Sequence, residues 1–427
     1  MIHTVTEHTL STGTKGLLID VPGSEVVSIR LYFRAGYQFG NFSKYEIPHV
    51  IEHHVSNGTK NYPLNNQVKS EFRLNGAYNN AFTNPSFIGY MAECAEFEVE
   101  RILELLTEVV ARPLFPEQNY ETERENVRTE LTRFLSDYDR QAYVLGSEAS
   151  FPDEVMNYTK RLEQLNSITH DDVVAYYHAT HMAHNANFVV TGAIKANEAI
   201  IIKKLDQLYS ELPAGKRNEL SDNIGLGIAE PIVAVEPIDT TYFNLDWYAG
   251  GLTNSQRAAG RLLGSILTGG YASRIYGKAR DEGLTYHLFS AQGKSPKASS
   301  FSITGFCNPE LWPRLTELIG TELEAMVEGG PNIDELEAAR RMVIGGITLG
   351  TQTADDILGW YASDYAQFGT ILSFDDYFEL LRKVTVKDVQ AMAAHYFTSK
   401  RHNATLVGKV GKPETAAVGE KLKPVWH

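Results

Sequence analysis

Cysteine is scarce in this sequence: Cys94 and Cys307 are the only two in 427 residues. Two thiols so far apart build neither a disulfide framework nor a cysteine zinc site. No apolar run reaches membrane-spanning length, so insertion into a membrane is not expected. The opening stretch Met1-Ile2-His3-Thr4-Val5-Thr6-Glu7-His8 lacks the basic then apolar profile of a signal peptide, and the expected location is the cytoplasm. Basic charge is short as well. There are 39 Lys and Arg against 53 Asp and Glu, a net charge of −14, where a nucleic-acid partner calls for a basic footprint. An acidic surface makes cationic peptides the more welcome guests, although it also serves solubility. There is no G-x-S-x-G nucleophile elbow. Gly293-Lys294-Ser295 is not a phosphate loop either, because Leu288 stands where its first glycine is required.

The remaining composition is that of an ordinary globular enzyme, 22% charged and 43% hydrophobic, with length for two or three domains. Within it, Pro48-His49-Val50-Ile51-Glu52-His53 carries chemistry. His49, Glu52 and His53 stand at i, i+3 and i+4, one face of an α-helix. Imidazoles four residues apart can close on one zinc ion. The glutamate one turn away is placed to hold a water at the open coordination position. The order H-x-x-E-H is the inverzincin signature. A helix carrying two histidines and a glutamate is, on its own, more often a polar face.

A catalytic zinc takes three protein ligands, so another carboxylate is required. Residues 121–134 read as a helix whose positions 123, 127, 130 and 134 form one stripe. Val127 and Phe134 are apolar, and Glu123 and Glu130 share their face. Carboxylates turned inward are costly unless a cation meets them. Zinc would meet Glu130, and Glu123, seven residues earlier, would orient a ligand histidine.

At these residues the chain resembles the pitrilysin or insulinase family of zinc peptidases, the inverzincins. It is similar to the small two-domain bacterial type and to the mitochondrial processing peptidase subunits. The family pairs H-x-x-E-H with a glutamate about eighty residues on, in an E-x-x-x-x-x-x-E helix. Here 76 residues separate His53 from Glu130, and Glu123 supplies the pair. Gly58-Thr59, Arg112-Pro113-Leu114-Phe115 and Asn80-Ala81-Phe82-Thr83 also match, the last resembling the family's substrate-binding edge strand. The chain departs from the pattern at His54-Val55-Ser56-Asn57 and at Ile47-Pro48, which bear on the pocket wall.

Internal echoes divide the chain. Ile168-Thr169-His170-Asp171-Asp172-Val173 recurs as Val384-Thr385-Val386-Lys387-Asp388-Val389, and Phe33-Arg34-Ala35-Gly36 as Trp247-Tyr248-Ala249-Gly250. These offsets, 216 and 214 residues, imply a catalytic domain over 1–213, a hydrophilic linker over 214–225 and a duplicated domain over 226–427. The expected fold is α+β, two homologous two-layer α/β sandwiches. Residues 26–33 read as a strand, and 99–106 as an amphipathic helix. Carried forward by 214, the zinc motif falls on Leu263, Ile266 and Leu267, so only the first half can bind zinc.

The resemblance further implies that Arg280 and Tyr286, in Ser273-Arg274-Ile275 through Arg280-Asp281-Glu282-Gly283-Leu284-Thr285-Tyr286, bind the substrate carbonyl or carboxylate. Read without it, Arg280 closes a helix before Gly283 and Tyr286 opens a strand. The expected activity is zinc-dependent endopeptidase cleavage of unfolded peptides inside a chamber. His49, His53 and Glu130 would hold Zn2+, while Glu52 moves the proton from a water to the leaving amine. Peptides would add as a strand along Asn79, Asn80, Ala81 and Phe82; the other reading of that segment is a plain hairpin turning at Asn84-Pro85. The expected assembly is a homodimer, or a heterodimer with a paralogous subunit. The alternative is a catalytically silent structural or partner subunit, since the family contains such members. His178, His181 and His184, three residues apart, are a weaker metal candidate between a helix and a strand.

Overall fold

The computed structural model describes residues 2–295 and 297–422. Two compact units are formed, one from Met1–Thr132, Thr159–Leu220 and Gly350–Ile371, the other from Arg133–Tyr158, Ser221–Leu349 and Leu372–His427. This division differs from the expected single cut at 214–225 at two segments, Arg133–Tyr158 and Gly350–Ile371. Their helices each cover the sheet of the opposite half of the sequence, which no composition shift announces.

The strands of the first unit are β1 (Thr4–Thr9), β2 (Lys15–Asp20), β3 (Val26–Phe33), β4 (Tyr78–Thr83), β5 (Ile88–Ala95) and β6 (Ala186–Gly192). They form one sheet in the order β1-β2-β6-β3-β5-β4, with only β2 and β6 parallel. The second unit has β7 (Ile232–Val235), β8 (Thr241–Gly250), β9 (His287–Lys294), β10 (Ala298–Cys307) and β11 (His402–Gly408), in the order β7-β11-β8-β10-β9. That order reproduces β2-β6-β3-β5-β4 strand for strand, including the single parallel pair β7 and β11. The duplication is thus present in topology as well as in sequence.

Alternation in β3 sends Val27, Ile29, Leu31 and Phe33 to one buried face. Val99–Ala111 packs against this side of the sheet through Ile102, Leu103, Leu106 and Val110. The polar alternates of β3 are also covered, because the helix Ala354–Phe368 crosses the other face. There Arg30 donates to both oxygens of Asp355 at 2.7 Å, and Arg34 donates to the last carbonyls of that helix, at Ala366 and Gln367. Such a cap meets the negative end of the helix with a cation. In the second unit the helix Tyr138–Ser150 lies in the same way on the polar face of β8 and β11, where Asn403 Nδ2 donates to the Gly146 carbonyl and to Ser150 Oγ. Phe243, Leu245 and Trp247 of β8 fill the apolar core on the opposite face.

Candidate metal centre

Helix α1 (Ile47–His54) carries the whole H-x-x-E-H motif. Pro48 sits in its first turn, where the missing N–H would have no partner in any case. Ile47, Val50 and Ile51 anchor the helix in the core. Its far end is tied to the rest of the site through the loop that follows. Leu114 N donates to the Gly58 carbonyl at 2.9 Å and Lys60 N to the Arg112 carbonyl at 3.0 Å, which pairs Gly58-Thr59 with Arg112-Pro113. A side chain at Gly58 would come within 3.0 Å of the Pro63 carbonyl. This clamp ties the loop between α1 and α2 (Gln67–Leu74) to the loop between α3 (Val99–Ala111) and α4 (Glu117–Phe134).

On α4 the buried side chains are Tyr120, Glu123, Val127 and Leu131. The inward stripe therefore turns from Val127 to Leu131, and Phe134 is only half-buried, in the second unit. Glu130, beside that stripe, is partly exposed.

His49, His53 and Glu130 each offer a donor atom within 4.8 Å of the other two. Nε2 of His49 lies 3.7 Å from Glu130 Oε2, and Nε2 of His53 lies 3.6 Å from the same oxygen. Tetrahedral zinc with bonds of 2.0–2.1 Å places its ligand atoms about 3.4 Å apart, so the three donors fit a zinc ion with little movement. The opposite ring nitrogens face carboxylates. Nδ1 of His49 is 2.8 Å from Glu46 Oε2, and Nδ1 of His53 is 3.6 Å from Glu123 Oε2. Each imidazole is thereby held with Nε2 toward the common point, the arrangement that orients metal-binding histidines.

Charge gives the same answer as distance. Burial alone would push the Glu46 carboxyl up, yet Arg161 and His49 hold it down to about 2. Burial likewise raises Glu123 against the stronger pull of His53, Asn126 and Asn57, and it too ends at about 2. His53, with Glu123 and Glu130 against it, is raised despite burial. Burial would lower His49, but Glu130 and Glu46 lift it to about 9. A site that draws protons onto a buried and a partly buried imidazole side by side suits positive charge.

Glu46 and Asn57 were not legible as site residues. Glu46 is fully buried between His49 and Arg161, whose guanidinium also lies over the rings of Tyr37 and Tyr45. An acidic residue three before a ligand histidine is a usable signal, but Arg161 is 115 positions away. Asn57 donates to Glu123 Oε1 at 2.6 Å. Of the other expected residues, Glu52 lines a cavity together with His53, Asn79, Asn80 and Ala81. Residues 79–82 lie on β4, the edge strand of its sheet, which continues as a hairpin into β5. In the second unit, Arg280 ends the helix Tyr276–Asp281 before Gly283, whose φ of +68° suits glycine. Its guanidinium lies 4.6 Å from the ring centroid of Tyr286, itself 72% exposed. Among the described residues, His178, His181 and His184 form no group that could hold a metal. His181 is buried, stacked on Phe33 and Tyr177 and hydrogen-bonded to Tyr90, while His184 bonds backbone carbonyls.

Residues 16–173 match the insulinase family, peptidase family M16, and residues 167–343 match the peptidase M16 inactive domain. The chain belongs to the M16, or insulinase, family. It is 22% identical over 404 residues to a Rickettsia bellii protein named an uncharacterized zinc protease, covering 93% of this chain and 96% of that one. It is 19% identical over 427 residues to the mitochondrial-processing peptidase subunit beta of Dictyostelium discoideum, with 94% and 88% covered. A crystal structure of a peptidase M16 inactive domain from Pseudomonas fluorescens shares the fold, with a TM-score of 0.83 at 19% identity over 96% of this chain and 99% of that one. The M16 match spans the half with the histidines, and the inactive-domain match spans the half in which Leu263, Ile266 and Leu267 replace them. No helix among the described residues is long and apolar enough to cross a membrane.

Proposed function

We propose that the chain is a zinc-dependent endopeptidase acting on unfolded peptides. The observation that carries this reading is the convergence of His49, His53 and Glu130 within 4.8 Å, with Glu52 on the same helix. When bound there, zinc supplies a Lewis acid that brings a water's pKa toward about 7. Glu52 accepts the proton of that water on its carboxylate and passes it to the departing amine. Glu46 and Glu123 hold the Nδ1 side of the two imidazoles. The free edge of β4 pairs with the peptide backbone by strand addition, which orders the substrate with little regard to its side chains. Arg280 and Tyr286 bind the substrate carbonyl by the same family reasoning, the arginine through charge-assisted hydrogen bonds.

As for assembly, the chain is proposed to work as a homodimer enclosing its substrate. Pairing with a paralogous subunit is the other arrangement, and the Dictyostelium relative is by name one subunit of a processing peptidase. A catalytically silent role is the second reading, favoured by the inactive-domain match over 167–343; the intact ligand set in the other half counts against it.

The test is zinc content by elemental analysis, followed by cleavage of a quenched peptide with and without chelator. In Glu52→Gln, zinc should remain while turnover falls by about 10²–10⁴-fold, the usual worth of a general base. In Glu130→Gln, zinc should be lost to a mild chelator that leaves the parent loaded. Full turnover of Glu52→Gln, or no zinc in the parent protein, rejects the reading.

A further inference from the structure

A cavity of about 720 Å³ opens beside Glu52 and His53, bounded by α1, α2, α3 and the β4–β5 hairpin. Its apolar lining includes Phe72 and Tyr90, both almost fully buried. Its charges are unbalanced in a protein whose net charge is −14. Lys69 and Arg73, one turn apart on α2, face the cavity, and Glu52 is the only carboxylate in its lining.

The two cations touch neutral groups. Lys69 Nζ donates to Asn57 Oδ1 at 3.4 Å, and the Arg73 guanidinium lies 5.9 Å from the ring centroid of Tyr78. Among the described residues, neither has a carboxylate within ion-pair distance. Lys69 also helps by its charge to hold the Glu123 carboxyl down, but as the smallest of the causes acting on it. Glu123 already receives hydrogen bonds from Asn57 at 2.6 Å and Asn126 at 3.0 Å and lies against His53. An ammonium has three N–H donors, and the long bond to Asn57 uses one. The others belong to a half-buried cation that lines the same cavity as the proposed proton-transfer carboxylate.

We propose that Lys69, with Arg73 beside it, makes this cavity a subsite for an acidic side chain flanking the scissile bond of a bound peptide. This rests on the peptidase reading above. The carboxylate of a substrate Asp or Glu accepts from the Lys69 ammonium, and its stem packs on the apolar lining. The preference is local, because the acidic protein as a whole repels acidic peptides at long range.

Quenched peptides identical except for Glu, Gln, Leu or Lys at each of the two positions flanking one bond provide the test. Cleavage is read on the zinc-loaded protein, and binding on the Glu52→Gln variant by fluorescence anisotropy. The Glu peptide should exceed its Gln isostere by about tenfold or more at one of the two positions, the size of one charge-assisted hydrogen bond. In Lys69→Met the Glu-to-Gln ratio should fall toward one, whatever the absolute rate. In Lys69→Glu the preference should pass to the Lys peptide, which a structural role for Lys69 would not produce. Equal Glu and Gln values in the parent protein, with cleavage still stopped by chelator, overturn the subsite and leave the peptidase standing. Preferential binding of the Glu peptide with no chelator-sensitive cleavage of any peptide upholds the subsite and rejects the peptidase.

Discussion

Glu46 Oε2 lies 2.8 Å from Nδ1 of His49, and its other oxygen is held by Nε of Arg161. The carboxylate thus stands between a ligand imidazole and a buried guanidinium, fully shielded from water. It can fix the ring of His49 only because Arg161 keeps it charged.

Glu46→Gln should keep the fold, since an amide can still meet both neighbours, while weakening zinc binding by about 10–100-fold. Competition against a chromophoric chelator measures this. Glu46→Ala is a different experiment. It leaves Arg161 buried without its carboxylate, for which a loss of about 3–5 kcal/mol of stability is expected. Denaturant unfolding should show the larger loss in Glu46→Ala, because Glu46→Gln also removes the compensating charge but keeps an oxygen that accepts from Arg161. Parent-like zinc affinity in Glu46→Gln would dismiss the orienting role.

Glu123 bears the same relation to His53, at 3.6 Å, and Asn57 and Asn126 hold its two oxygens. Glu123→Gln should reduce zinc affinity by about 10–100-fold. Asn57→Ala, which removes one of the two bonds placing that carboxylate, should have a smaller effect in the same direction. If Asn57→Ala lowers turnover while zinc affinity stays at the parent value, its effect runs through Lys69 and the cavity rather than through Glu123.

The shared helix face of the histidine motif and the duplicated topology were legible because both rest on short-range regularities. His49, Glu52 and His53 share a face by helical period alone, and β3 occupies Val26–Phe33 as its apolar alternation predicts. What stayed hidden depends on contacts distant in sequence. Arg161 gives Glu46 its meaning from 115 residues away. The division into units rests on similar contacts: the polar alternates Arg30 and Asp246 lie under Ala354–Phe368 and Tyr138–Ser150, each a helix from the other half of the sequence. A crossing helix that satisfies polar groups leaves no apolar stripe on the strand to announce it.

Asp246, 3% exposed on β8, belongs to that hidden face. Burial pushes its carboxyl up to about 7 against the opposing pull of Ser302, Tyr248, Asn244 and Asn403. Because the folded-state value lies above the unfolded 3.8, the folded protein binds more protons between these limits. Stability from this group therefore falls as pH rises from about 4 to about 7 and stays reduced above. Asp246→Asn removes the ionisation, and its amide can also donate toward Asn403 Oδ1, which has no partner otherwise. The variant should be more stable than the parent at pH 8, by a few kcal/mol at most at about 1.4 kcal/mol per tenfold change in proton affinity. At pH 4 the two should converge. Denaturant midpoints across pH 4–8 decide it, and a constant difference over that range would exclude titration of Asp246 as the cause.

Arg280 and Tyr286 stand together in the unit without zinc ligands, 4.6 Å from guanidinium to ring. If they bind substrate for a site whose ligands lie in the other unit, their loss should raise KM or lower kcat without touching zinc content. Arg280→Ala should therefore retain the metal and lose about 10–100-fold or more in kcat/KM, the worth of one or two charge-assisted hydrogen bonds. Mixing it with Glu52→Gln then asks which chain serves which site. In a homodimer whose sites draw on both chains, a mixed dimer carries both lesions at one site and neither at the other, so subunit exchange restores up to about half the parent activity per mixed dimer. If each chain serves its own site, every site in the mixture keeps one lesion and activity stays at the level of the two variants. Exchange is verified independently with fluorescently labelled chains, and absence of recovery under verified exchange rejects sharing.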